Sequence, residues 1–126
     1  MTQPLANAEL AIMELLWSEQ PQTARQIREQ LYPGADKAQH GTVQRLLQRL
    51  EDKGFVRRDR SLPVHLFATT LTREAYAGSQ LESLADKLTG GSLAPLLTHL
   101  LDANRISSDD IAQLRALLDR SREEEA

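Results

Sequence analysis

Apolar residues recur with helical spacing through most of the chain, and the clearest run lies between Gly41 and Arg60, GTVQRLLQRLEDKGFVRRDR. Val43, Leu46, Leu47 and Leu50 fall at i, i+3, i+4 and i+7, which predicts a helix with one apolar stripe. At about 100° per residue the opposite face carries Gly41, Arg45 and Gln48, with Gln44 and Arg49 flanking it. Small, amide and guanidinium side chains are the types that read base edges or hold phosphates. Gly54 predicts the helix stop. After it, a β-leaning Phe55-Val56 opens a run that holds Arg57, Arg58 and Arg60.

The same logic extends to both sides. Ala8, Ile12, Leu15 and Leu16 predict a first helix to about Glu19, capped by Asn7, with Glu9 suited to the positive end of its dipole. Pro21 ends it. Thr23 with Gln26 reads as a capping box that opens a second helix through Ile27 and Leu31. Pro33-Gly34 is a stop, and residues 33–40 are expected as the turn before the third helix. Strands are expected at about 55–60 and 64–69, with Pro63 in the turn between them. A lone hairpin is marginal in water, so it must lean on the helices, with Phe55, Leu66 and Phe67 as anchors.

Beyond about Thr72 the pattern becomes leucine-rich. One helix carries Ala77, Leu81, Leu84, Ala85 and Leu88 and breaks at Gly90-Gly91. A second, capped by Ser92 and with Pro95 in its first turn, aligns Leu93, Leu96, Leu97, Leu100 and Leu101. A third, capped by Ser107 with Asp110, carries Ile111, Leu114, Leu117 and Leu118 before a charged tail expected to fray. Three short helices of this kind cannot bury their apolar faces alone, so packing against a second copy is expected. The predicted fold is mainly α with a small β-hairpin. It comprises a winged helix-turn-helix DNA-binding domain at 1–71 and a three-helix dimerisation domain with a charged tail at 72–126.

Composition changes this picture in three places. The 126 residues contain no Cys, which excludes disulfides and thiolate metal sites and fits a reducing, cytoplasmic setting. No signal peptide is expected from the polar start MTQPLANAE, and no apolar run is long enough to span a membrane. The formal net charge is −3, yet residues 37–60 hold seven Lys and Arg against three acids, a local basic patch of the kind that binds nucleic acid. His40, His65 and His99 lie on separate elements without ligand spacing, so no metal or other cofactor is expected. No nucleophile elbow, phosphate-binding Gly loop or HExxH motif is present, and an enzyme is not expected.

Three stretches, NAELAIMELLW, TVQRLLQRLEDKGF and GGSLAPLLTHLLDANRISSDDIAQLRALL, occur in an order and spacing that resembles the penicillinase-repressor (BlaI/MecI-type) family. The resemblance covers nearly the whole chain. It implies a homodimeric repressor with an N-terminal winged domain and a C-terminal helical dimerisation domain, acting on a dyad operator. Thr42, Gln44 and Arg49 match the family's helix 3 pattern. Three positions depart from it. Gly41 stands where the family usually has Lys, and the wing turn SLPV lacks the common Gly. Members that answer to a membrane sensor-protease are cut at an Asn-Phe bond, where this chain reads His99-Leu100. Such a protease is a partner through the resemblance alone, and a β-lactam response is not implied. The C-terminal Cys cluster of copper-responsive relatives is absent.

The resulting expectation is a sequence-specific repressor. Thr42, Gln44, Arg45 and Gln48 read bases, while Arg49, Lys53, Arg57, Arg58 and Arg60 hold phosphates. Leu81, Leu84, Leu88, Leu93, Leu96, Leu97, Leu100, Leu101, Leu114, Leu117 and Leu118 form the dimer seam. The alternatives are a winged-helix protein-interaction module, in which the arginines meet an acidic protein surface, and a ligand-responsive regulator of the MarR or PadR sort.

Overall fold

The computed structural model describes residues 4–34 and 37–125. Their element order is α1 (Asn7–Ser18), α2 (Ala24–Leu31), α3 (Lys37–Asp52), β1 (Val56–Asp59), β2 (Leu66–Thr69), α4 (Arg73–Thr89), α5 (Ala94–Asp102) and α6 (Ser108–Glu125). This is the mainly α, winged arrangement, with three helices ahead of an antiparallel hairpin. Two compact units result, divided between Leu81 and Glu82.

In the N-terminal unit the stripe on α3 is the centre of the core. Val43, Leu47 and Leu50 are fully buried and Leu46 nearly so, packed with Ile12, Met13, Leu16, Ile27, Phe55, Val56, Phe67 and Tyr76. Burial of each such side chain stabilises by ~1.5–3 kcal/mol, which is what holds α3 in place. Phe55 and Phe67 anchor the hairpin as expected, whereas Leu66 is only half-buried. The strand register pairs Arg58 with Phe67 and Arg57 with Ala68. The hairpin also has a one-residue extension, because Gln22 and Phe67 exchange backbone hydrogen bonds of 3.0 and 2.8 Å. The buried Gln22 side chain donates to the carbonyls of Leu15 and Glu19 and so closes the end of α1.

Several expected boundaries shift. Asn7 is the first residue of α1 and not its cap; Glu9 does the capping, its carboxylate accepting from the Ala6 N–H at 3.0 Å. The Thr23–Gln26 capping box forms as expected, at 3.1 and 2.8 Å. The turn expected at 33–40 is shorter, since α3 already starts at Lys37 and takes in His40; residues 35–36 lie outside the described residues. Gly54, at φ +84, ends α3 in the left-handed conformation that glycine adopts without strain. The N-terminal unit extends past 71 because the start of α4 belongs to its core. The buried Tyr76 hydroxyl accepts from the Leu5 N–H at 3.0 Å, and its ring packs edge-on to Phe55. Trp17 is half-buried, its indole N–H donating to the Leu71 carbonyl at 2.9 Å.

In the C-terminal unit Gly90 and Gly91, both at positive φ, separate α4 from α5. Leu93, and not Ser92, is the residue before α5, and it supplies no side-chain cap. Ser107 caps α6, its hydroxyl accepting from the Asp110 N–H at 3.0 Å. The tail expected to fray is helical to Glu125, as its run of Arg and Glu favours. No helix among the described residues is long and apolar enough to cross a membrane.

Candidate nucleic-acid interface

The outer face of α3 is set by its inner one. Four buried positions in line leave Gln44, Arg45, Gln48 and Arg49 exposed, while Thr42 is half-buried beside them. Gln44 Nε2 lies 3.1 Å from His40 Nε2, one turn earlier on the same helix. Adding a Cβ at Gly41 would meet nothing within 4 Å. That gap on the outer face is open space.

A groove of about 800 Å³ runs between α2, α3 and the hairpin. Its described walls carry Arg25, Arg28, His40, Gln44, Gln48, Arg58 and His65, and no carboxylate. Two of the histidines that lie on separate elements therefore meet on one surface.

The wing arginines are not equivalent. Strand alternation turns Arg57 outward and exposed, and no partner among the described residues holds it. Arg58 faces inward over the ring of Phe67, 4.7 Å from its centroid, as a cation–π pair. Its Nε lies 3.3 Å from Glu51 Oε1, outside hydrogen-bonding alignment, and its Nη2 donates to Gln48 Oε1 at 3.3 Å. Arg60 Nη2 donates to both oxygens of Glu51, at 3.3 and 3.1 Å. Gln48 Nε2 in turn donates to Asp52 Oδ1 at 2.8 Å.

Lys53, expected among the phosphate contacts, is placed elsewhere. Its ammonium donates to both oxygens of Glu9 at 3.0 Å, and Glu9 is only 2% exposed. Burial alone would raise the Glu9 pKa. The Lys53 hydrogen bonds, the Ala6 N–H and the charges of Lys53 and Arg49 outweigh it and hold the carboxyl below its usual range. The charge of Lys53 is thus compensated within the fold, and a buried glutamate that sequence reading treated as a helix-dipole residue turns out to be structural. The exposed Asp59 is also lowered, by hydrogen bonds from Ser61.

In the C-terminal unit the expected seam is open. Leu84, Leu88, Leu93, Leu97, Leu100, Leu101, Leu114, Leu117 and Leu118 are exposed, as is Leu81 at the end of the first unit, and Leu96 is half-buried. His99 and Leu100 lie within α5. No cluster of three potential metal-ligating side chains occurs among the described residues.

The chain is 36% identical over 116 residues to the transcriptional regulator BlaI of Mycobacterium tuberculosis, covering 90% of this chain and 82% of that one. It is 22% identical over 119 residues to the methicillin resistance regulatory protein MecI of Staphylococcus aureus, covering 94% and 96%. Solved structures with similar backbones include the PcaV transcriptional regulator from Streptomyces coelicolor, at 17% identity and a TM-score of 0.45, covering 94% of this chain and 75% of that one. Residues 5–120 match the model of the penicillinase repressor family. By that match and the BlaI relationship, the chain belongs to the penicillinase repressor family of transcriptional regulators.

Proposed function

We propose that this chain is a DNA-binding repressor that acts as a homodimer on a dyad operator. The observation that carries the reading is the groove beside α3, whose described walls combine three arginines, two histidines and two glutamines with no carboxylate. Such a surface suits a polyanion that also presents base edges. Gln44, Arg45 and Gln48, with Thr42 at their margin, face the bases. Arg49 and Arg57 lie toward the phosphates, Arg58 and Arg60 stand beside them paired with Glu51, and Lys53 is left out because Glu9 already holds it. Two copies paired through the exposed leucines would present two α3 helices to half-sites about 34 Å apart. Repression then follows from occupation of a promoter that overlaps the operator.

The test is fluorescence anisotropy on the duplex upstream of the protein's own gene, across a salt series. If about six phosphates are neutralised per dimer, log affinity falls against log salt with a slope near −5. An affinity indifferent to salt and sequence would overturn the reading in favour of a protein-interaction module.

A further inference from the structure

The geometry points to Glu51 as a positioning residue for base reading. Through Arg58 it fixes the amide of Gln48 toward an adenine edge, and it keeps Arg58 and Arg60 off the phosphates of arbitrary DNA. The inference rests on α3 and the hairpin being the DNA-contacting face.

A carboxylate in the last turn of a helix opposes the dipole, and beside DNA it repels phosphate. Glu51 is unfavourable on both counts unless something answers its charge. Arg58 at 3.3 Å and Arg60 at 3.1 Å do so, from the strand and turn that follow. The side chains of Glu51 and Arg58 are 19% and 17% exposed, so solvent and salt screen this link less than they would an open surface pair.

Arg58 cannot swing freely. Phe67 lies under its guanidinium, Glu51 flanks its Nε, and its Nη2 donates to Gln48 Oε1. Gln48 is gripped at its other end, where Nε2 donates to Asp52 Oδ1 at 2.8 Å and, at the long distance of 3.5 Å, to Glu51 Oε1. An amide has two lone pairs on oxygen and two N–H groups. Arg58 takes one lone pair and Asp52 one N–H; the second N–H makes only the long, 3.5 Å bond to Glu51 Oε1, and the second lone pair remains. A free acceptor beside a weakly held donor, which can exchange its long bond for a base, is what a glutamine offers to N6 and N7 of adenine. The chain Glu51–Arg58–Gln48 thus orders a reading group before DNA arrives, which spares the entropy of ordering it on binding.

The experiment compares the full chain with Glu51→Gln on operator and scrambled duplexes, over a salt series and a set of single base-pair changes. Glu51→Gln is expected to raise affinity for scrambled DNA about threefold or more. Its salt slope should steepen by ~1–2 per protomer as one or two arginines reach phosphates. The operator-to-scrambled ratio should fall about tenfold, the loss concentrated at the base pair where Gln48→Ala also loses its preference. Arg58→Lys, which keeps charge but loses the fork bridging Glu51 and Gln48, should lose preference at that same pair. Melting curves establish that each variant folds, and Arg58→Lys decides the matter if Glu51→Gln does not.

Three results would overturn the inference: an unchanged ratio and slope, loss of preference at a different base pair, or a steepening that survives replacement of both Arg58 and Arg60 by Gln. The last would mean simple repulsion between Glu51 and phosphate. Failure of the wild-type chain to bind any duplex in a salt-dependent way would overturn the DNA-contact reading and this inference together. Wild-type binding with an unaltered Glu51→Gln variant would remove the inference alone.

Discussion

Lys53 Nζ stands 3.0 Å from each carboxylate oxygen of Glu9, so the C-terminal end of α3 is fastened to the first turn of α1. The glutamate also caps its own helix through the Ala6 N–H, and one buried carboxylate therefore serves two elements. Removing one partner of a buried pair leaves an uncompensated charge, a loss of ~3–5 kcal/mol when both ions are fully enclosed. The Lys53 side chain is 30% exposed, which lowers the expected cost of Lys53→Ala to about 2 kcal/mol. Thermal melting followed by circular dichroism should show a drop in Tm of about 10 °C for a unit of this size. A drop under a few degrees would mean that the pair is not structural.

The same pair sets a pH dependence. Because the folded Glu9 pKa is depressed, its contribution to stability is complete above the ordinary glutamate range, ~4.3. It is lost as pH falls through the lower, folded value. Chemical unfolding of wild type and Lys53→Ala should therefore differ most near neutrality and converge as pH falls below the ordinary glutamate range. A difference that grows in acid would contradict the assignment.

Arg45 and Arg57 should separate reading from holding. Arg45 projects from the exposed side of α3, and its replacement by Ala is expected to reduce discrimination by ~1–3 kcal/mol at one base pair. Arg57, on the outward side of β1, should weaken operator and scrambled DNA about equally when changed to Ala and reduce the salt slope by about 1 per protomer. Anisotropy titrations on both duplexes distinguish the two patterns, and identical behaviour of the two variants would remove the division of labour.

Gly41→Lys should gain on two fronts. The position is helical with φ negative and open space around it, so replacing glycine stabilises α3 by ~0.5–1 kcal/mol. A lysine there also adds a cation to the outer face. Tm and duplex affinity should both rise, with about one extra unit of salt slope per protomer. Higher Tm with unchanged affinity would place Gly41 away from the DNA.

Leu88 and Leu118 are each 64% exposed in the single chain. Changing both to Glu should leave the N-terminal unit's stability within about 0.5 kcal/mol of wild type, as for surface substitutions elsewhere. Sedimentation should report a monomer in place of a dimer. Persistent dimers would move the seam to other leucines.

The features that could be read in advance are those whose partners are close in sequence. The α3 stripe follows from a 3.6-residue period, and the Thr23–Gln26 cap spans three residues. What could not be read depends on distant packing or on phase. Nothing near Lys53 in the chain announces Glu9, 44 residues away. Arg57, Arg58 and Arg60 look alike in composition, and only the strand register, with Arg58 opposite Phe67, assigns one of them to the inner side. Gln22 completes the hairpin through a single bridge, too short to leave any periodic trace.

The tie between the Trp17 indole and the Leu71 carbonyl has a practical outcome. All five aromatic side chains, Trp17, Tyr32, Tyr76, Phe55 and Phe67, precede Glu82. Emission from the lone tryptophan therefore reports on the unit that holds it, while far-ultraviolet dichroism sees the helices of both. Denaturation followed in the two channels at once yields separate midpoints for the two halves of one unlabelled chain.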